Sequence, residues 1–299
     1  MSVGARIWRA GGKSIVLDKP IVVGILNVTP DSFSDGGLSF SADSAVTRAL
    51  QLLEEGADVV DVGGESTRPG AEPVDGAEEL RRVVPVIDAV RAAAPAAVIS
   101  VDTVKAATAQ AALVAGADIV NDVSAGRLDS LMLGVCASAG CGMVLMHSRG
   151  SVGEMASYGT ATYGDDVVGE ISSELLARVE AARQAGVDES AIVIDPGIGF
   201  SKRSEHSIAV LRQLGRIVAL GYPVMVGVSR KRVIGELSGV SAAAGRDAAT
   251  HGANVFALGT GAVLFRVHDV RSARLSLDTA WRLSGNERGS GVSVQPRPS

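Results

Sequence analysis

The chain has 299 residues, 46% of them hydrophobic, and a formal charge of −5. That is ample for one large core, and α/β barrels run to roughly 200–250 residues as single domains. The mild acidity argues against a nucleic-acid binder, which would show a basic face, and no apolar run approaches the roughly 18–20 residues of a membrane span.

Near the start, Arg6, Arg9 and Lys13 interrupt any signal-peptide core, so a soluble cytoplasmic protein is expected. Residues 1–20 read as a hairpin: Ile7-Trp8-Arg9 and Ser14 to Leu17 flank the turn Ala10-Gly11-Gly12-Lys13. Gly12-Lys13-Ser14 has the ending of a phosphate-binding loop, but the first glycine of that motif would fall on Ile7, which rules it out. The hairpin is expected to close the bottom of a barrel.

Strand and helix then alternate. The apolar run Ile21 to Leu26 is one buried strand that stops on Asn27 and opens into a polar loop through Gly37. Helix is expected over Ala42 to Glu55, capped by Ser41 or Asp43 and stopped by Gly56. Strand Asp58 to Val62 leads into a loop from Gly63, and helix returns at Ala77 to Ala94. Strand Ala97 to Val101 ends on Asp102 and precedes helix Lys105 to Ala115, whose N-cap Asp102 is a candidate to supply. Strand Asp118 to Val120 ends on Asn121-Asp122, and helix Ser130 to Ala139 precedes strand Met143 to Met146, which ends on His147.

A long polar loop, Ser148 to Gly164, precedes helix Asp165 to Ala185. Strand Ile192 to Ile194 ends on Asp195 and is followed by helix His206 to Leu220. Strand Val224 to Val228 ends on Ser229-Arg230-Lys231-Arg232, which can open a short helix, and a longer helix spans Ala242 to Leu258. Strand Ala262 to Phe265 ends on Arg266-Val267-His268, helix Val270 to Leu283 follows, and the Pro/Gly-rich tail from Ser284 is expected to be disordered. The two cysteines, Cys136 and Cys141, have a spacing that with His147 fits no zinc pattern, and read as reduced packing thiols.

About eight strand–helix units with continuous apolar strands mean parallel strands buried on both faces. An open doubly wound sheet would concentrate chemistry at one switch point. Here nearly every strand ends in a polar residue, the pattern of a (β/α)8 TIM barrel with its site on the C-terminal face. The expected domains are an N-terminal hairpin over residues 1–20, a single barrel over residues 21–283 and a tail over residues 284–299.

Two chemistries separate among the strand ends. Asp102, Asn121 and Asp195 are acceptor-rich and suit a ring offering several N–H groups, with a metal ion as the competing reading. Lys231, Arg266 and His268 form a cationic donor set on strands seven and eight, where barrels often hold phosphate. Asn27 offers a carbonyl oxygen suited to Mg2+ that also takes phosphate oxygens. The loops Val28 to Phe40 and Gly63 to Pro73 carry glycine hinges, and an aromatic in the first, Phe33, wants a partner.

Asn27-Val28-Thr29-Pro30-Asp31-Ser32-Phe33-Ser34-Asp35-Gly36-Gly37 resembles the first signature of the dihydropteroate synthase family, and Asp61 to Gly70 resembles the second. Further matches are Ser100-Val101-Asp102-Thr103, Asn121 to Ser124, Met146-His147, Asp195 to Phe200, Ser229-Arg230-Lys231 and Arg266 to Asp269, in family order across residues 21–283. The resemblance implies a TIM barrel of folate biosynthesis that joins 6-hydroxymethyl-7,8-dihydropterin diphosphate to p-aminobenzoate, with Mg2+ as cofactor. By the same resemblance Asp102, Asn121, Asp195 and Lys231 hold the pterin, with Met146 and Phe200 on its faces. Asn27, Arg266 and His268 hold the diphosphate, Asn27 also touching the metal. Phe33, Thr67, Arg68, Pro69, Lys231 and Arg232 form the p-aminobenzoate pocket, and Asp35 lies in the loop that closes on it. Asp102, Lys231, Arg266 and His268 would then carry the catalysis.

Many family members have Ser where this chain has Arg232, so a backbone N–H rather than a hydroxyl would hold the p-aminobenzoate carboxylate there. The intact Phe33 and Arg68-Pro69 segments imply competition by sulfonamides. A homodimer is expected by resemblance. The alternatives are a methyltransferase acting on methyltetrahydrofolate, which has no diphosphate to hold, and a catalytically silent pterin-binding paralogue.

Overall fold

The computed structural model describes residues 6–29, 42–65, 74–155 and 157–285. Two short strands, β1 (Ile7–Ala10) and β2 (Lys13–Val16), pair antiparallel. Eight further strands are β3 (Ile21–Asn27), β4 (Val59–Gly63), β5 (Val98–Asp102), β6 (Ile119–Asp122), β7 (Gly142–Met146), β8 (Ile192–Asp195), β9 (Met225–Val226) and β10 (Leu264–Val267). They form one parallel sheet in which β3 to β8 are sequential neighbours, β10 lies beside β3, and β9 lies beside β10. A parallel bridge between Ile194 and Val224 joins the two ends of the sheet. The expected (β/α)8 barrel is therefore the fold.

The surrounding helices are α1 (Ala42–Glu54), α2 (Gly76–Ala93), α3 (Ala106–Val114), α4 (Met132–Ala139), α5 (Val152–Met155), α6 (Val167–Gln184), α7 (Ser204–Arg212), α8 (Leu214–Val218), α9 (Arg232–Ser238), α10 (Asp247–Gly259) and α11 (Val270–Leu283). No helix among the described residues is long and apolar enough to cross a membrane.

A strand alternates its side chains between two faces, and that alternation sorts the core. Val22, Leu26, Val60, Val62, Ile99 and Val101 point outward and pack with helix residues such as Val83, Ile87 and Leu175 in one large cluster. Ile21, Val23, Val59, Val98, Ile119, Val144, Val193, Met225 and Leu264 belong to a second cluster that also takes in Trp8, Ala10, Ile15 and Leu17 of the hairpin. The hairpin thus caps the lower end of the barrel, as its position in the chain suggested. Trp8 is 1% exposed and donates its indole N–H to the Ala191 carbonyl at 2.8 Å. Lys13 serves the same closure: its Nζ lies 2.8 Å from Asp118 Oδ2, which also receives Arg91 Nη2 at 2.7 Å.

Several expected elements are cut shorter. The helix expected over His206 to Leu220 is two, because Gln213 leaves helical geometry between α7 and α8. The helix expected from Ala242 begins at Asp247, after a 3-10 turn over Ala243–Arg246. Here Arg246 turns its guanidinium back onto the carbonyls of Val240, Ser241 and Arg230. The polar loop Ser148 to Gly164 contains α5, and the short helix expected after Ser229 is α9. Cys136 and Cys141 are buried and free, as read.

Candidate active site

Above the apolar floor the inward positions turn polar. Asp61, Ser100, Asn121, Asp195 and Arg266 follow the floor residues of β4, β5, β6, β8 and β10 by two positions. Asn27, Asp102 and His268 stand two positions further along β3, β5 and just past β10. Asn27, Gly63, Asp102 and Asn121 are in register across four adjacent strands. A cavity of about 850 Å³ opens here, lined by Asn27, Asp102, Phe200, Lys231, Arg266 and His268 among others.

The floor of this cavity is ionic. Arg266 donates Nε to Asp61 Oδ2 at 2.6 Å and Nη2 to Asp102 Oδ2 at 2.6 Å. Asn121 Nδ2 donates to the same Asp61 oxygen at 3.1 Å. Burial works against the Arg266 charge, but Asp61 and Asp102 outweigh it and hold the guanidinium protonated. Burial also pushes the Asp102 carboxyl up to about 7, against the pull of Arg266. The sequence places Arg266 on the diphosphate. Its Nε–Nη2 edge is occupied by carboxylates, because acids this deep in a barrel need a cation between them. Asp102 does not cap the helix after it either; the Ala106 N–H is taken by Asp129 Oδ2 at 2.8 Å.

Asp195 is fixed from the loop that follows it. Gly197 N–H donates to Asp195 Oδ1 at 2.7 Å. Gly197 has φ +67, and a Cβ there would stand 2.0 Å from the His147 carbonyl oxygen, so only glycine fits. Burial raises the Asp195 carboxyl, with Lys231 opposing. Lys231 Nζ donates to the Ile198 carbonyl at 2.5 Å and lies 4.2 Å from the centre of the Phe200 ring. Burial lowers its ammonium to about 8 despite the carboxylate of Asp195. A Cβ built on Gly227 would sit 3.7 Å from Asp195 Oδ2 and 3.9 Å from Lys231 Nζ, so the absent side chain keeps this space open. Met146 and Phe200 belong to one apolar group with Val104, Val123 and Met155 beside it.

Ser229 Oγ accepts the His268 N–H at 3.2 Å and lies 2.9 Å from His268 Nδ1, which fixes the ring at the rim. Arg232 is exposed and lies 4.3 Å from the centre of the Tyr158 ring, with Nε donating to Glu236 Oε1 at 2.9 Å. Phe33, Asp35, Thr67, Arg68 and Pro69 lie outside the described residues.

His147, grouped with the strand ends by sequence, turns away. Its Nε2 faces Glu174 Oε2 at 3.0 Å and its Nδ1 faces Lys202 Nζ at 2.8 Å. Burial, with Lys202 adding to it, lowers the imidazole to about 4. Asp122 is structural: its carboxylate accepts the N–H groups of Ser124 and Gly126. Sequence reasoning gave no role to Asp61, Lys202 or Tyr158. Only Asp61 carried a signal, an acid at an inward phase of an apolar strand.

Among the described residues no group of three His, Cys, Asp or Glu is arranged to hold a metal ion. Asn27 lines the cavity and is compatible with a single carbonyl contact to Mg2+, an ion that keeps several waters and takes phosphate oxygens.

Residues 23–268 match the family model described as pterin binding enzyme. The chain is 46% identical over 271 residues to the dihydropteroate synthase of Mycobacterium leprae, covering 88% of this chain and 94% of the relative. It superposes with a TM-score of 0.87 on the Xanthomonas albilineans dihydropteroate synthase with 4-aminobenzoic acid, at 43% identity, covering 95% of this chain and all 100% of that one. The same bacterial enzyme in complex with 7,8-dihydropteroate gives a TM-score of 0.84 at 41% identity, covering 94% and 100% of the two chains.

Proposed function

The chain belongs to the pterin-binding enzyme family, in its dihydropteroate synthase branch, and on that footing we propose the chemistry of its site. It is a transferase of folate biosynthesis that condenses 6-hydroxymethyl-7,8-dihydropterin diphosphate with p-aminobenzoate, giving 7,8-dihydropteroate and pyrophosphate. One observation carries the pterin assignment. Asp61 Oδ1 and Asn121 Oδ1 are buried acceptors with no partner among the described residues, and a ring rich in N–H groups satisfies such acceptors.

Asp102, Asn121 and Asp195 accept the N–H edge of the pterin, while Met146, Phe200 and the Lys231 stem close on its faces. Cleavage of the C–O bond leaves positive charge on the pterin and negative charge on the diphosphate. The ionised carboxylates of Asp102 and Asp195 stabilise the first, and His268, Lys231 and the remaining edge of Arg266 stabilise the second. Asn27 would hold Mg2+, which would supply further charge stabilisation to the leaving group. The p-aminobenzoate nitrogen then attacks the methylene carbon and releases a proton. We assign the pocket of this second substrate to Phe33, Thr67, Arg68, Pro69, Lys231 and Arg232, with Asp35 in the loop that closes on it, and expect sulfonamides to compete there.

The test supplies dihydropterin diphosphate, p-aminobenzoate and Mg2+ and follows pyrophosphate and dihydropteroate together. Stoichiometric appearance of both is expected; folded protein that releases neither overturns the reading. We place the reaction in the cytoplasm and assign a homodimer through the late helices, where Phe256 and Leu275 expose large apolar side chains. Sedimentation at micromolar concentration checks the dimer.

A further inference from the structure

Arg230 has φ +57, a left-handed conformation disfavoured for a residue with a Cβ. It is the third residue of a turn closed by the Lys231 N–H on the Val228 carbonyl at 3.1 Å, where glycine is the usual occupant. The next residue, Lys231, is the N-cap of α9. The backbone of Arg230 therefore decides the direction in which Lys231 leaves the strand end and reaches the Ile198 carbonyl and the Phe200 face.

The bonds that hold Arg230 come from the start of α10. Its Nε and Nη2 donate to Asp247 Oδ1 and Oδ2, each at 2.7 Å. Its N–H donates to the buried Thr250 Oγ1 at 3.1 Å. Its carbonyl accepts Arg246 Nη1 at 2.9 Å. The guanidinium of Arg246 also lies flat against α9, where a Cβ on Gly235 would stand 2.5 Å from Nε. Both backbone groups and the side chain of one strained residue are thus pinned by three residues of one short segment.

We propose that Arg246, Asp247 and Thr250 are positioning residues for the condensation: they hold Arg230 left-handed and so aim Lys231 into the pterin cavity. This rests on the placing of Lys231 in that site. A merely structural Arg230–Asp247 pair, partly exposed as it is, would contribute little and leave kinetics alone.

The test compares Asp247→Ala with Asp247→Ala carrying Arg230→Gly. A small misplacement of a binding group costs up to about a hundredfold in rate. The single variant is expected to lose about tenfold or more in kcat/KM for dihydropterin diphosphate. Glycine takes φ +57 without strain, so the double variant is expected to recover most of that loss although it lacks both members of the ion pair. If Asp247→Ala does not fold, Thr250→Val, alone and with Arg230→Gly, carries the same expectation. A single variant with unchanged kinetics, or a double variant no better than the single, overturns the inference. Lys231→Ala separates the two claims. If it keeps full activity, the placing of Lys231 has failed; if it is inactive while Asp247→Ala is not, only the positioning has failed.

Discussion

Arg266 Nε and Asp61 Oδ2 lie 2.6 Å apart beneath the catalytic cavity, reaching each other across the strand that separates β10 from β4. Asp61 is wholly buried, and the same oxygen also anchors Asn121. Asp61→Asn removes the charge while keeping the shape. Breaking a buried pair of this kind costs about 3–5 kcal/mol. A loss of stability of that size by urea titration is expected, with kcat/KM down by about tenfold or more. A double-mutant cycle with Arg266→Lys checks the coupling, and simple additivity would show that the two do not act together.

The acid and base limbs of catalysis follow from two displaced groups. Asp102, pushed up to about 7, offers the proposed pterin contact a full negative charge only above that value; Lys231, lowered to about 8, is cationic only below it. The profile of kcat/KM for dihydropterin diphosphate is expected to be a narrow bell between these limits, each limb falling about tenfold per pH unit. Asp102→Asn should abolish the acid limb and Lys231→Arg the alkaline one. A flat profile from pH 6 to 9 in the unmodified enzyme would remove the assignment.

His147 gives a separate dependence in stability. Its imidazole is lowered from 6.5 to about 4 in the fold, chiefly by burial and then by Lys202. Between those values the unfolded chain binds more protons than the native one, so stability falls as pH drops through that window, by up to about 3 kcal/mol. In His147→Gln the part of the decline between pH 6.5 and 4 should vanish, as read from urea midpoints. The decline below pH 4.5 should shrink without vanishing, because Glu174, held at about 2 mainly by His147, keeps only its bonds to Arg149 in the variant.

Trp8 tests the floor without touching the chemistry. Trp8→Ala opens a cavity in the lower cluster and removes the indole bond to the Ala191 carbonyl, a change expected to cost about 3–5 kcal/mol. The KM values for both substrates should stay within about twofold of the parent. A large rise in either would mean that the hairpin shapes the site as well as the floor.

The barrel was legible because its rule is local: an apolar strand, a polar end, a capped helix, repeated along the chain. Asp102, Asn121, Asp195 and Lys231 could be placed from that rule alone. Partnerships could not. Arg266 meets Asp61 across 205 positions and Asp102 across 164, and nothing in either neighbourhood says that acids rather than a phosphate occupy that edge of the guanidinium. The late start of α10 was hidden for a similar reason. Ala242 to Arg246 reads as good helix former, but Arg246 spends its donors on carbonyls of the preceding turns. His147 looked like the other strand ends, but it stands three positions past the inward Val144 and so faces outward, where Lys202 and Glu174 receive it.

The hairpin that seals the lower end has a consequence for traffic. With Trp8 and Ile15 filling that end, guests come and go by the mouth at the strand ends. Whatever rests on Asp195 and Asn121 lies beneath whatever rests beside Arg232. With the pterin on Asp195 and Asn121 and p-aminobenzoate beside Arg232, as proposed, the two substrates form a queue, with the pterin first in and its conjugate last out. Surplus p-aminobenzoate standing at the mouth of the empty site obstructs that entry, so turnover should decline at high concentrations of the second substrate.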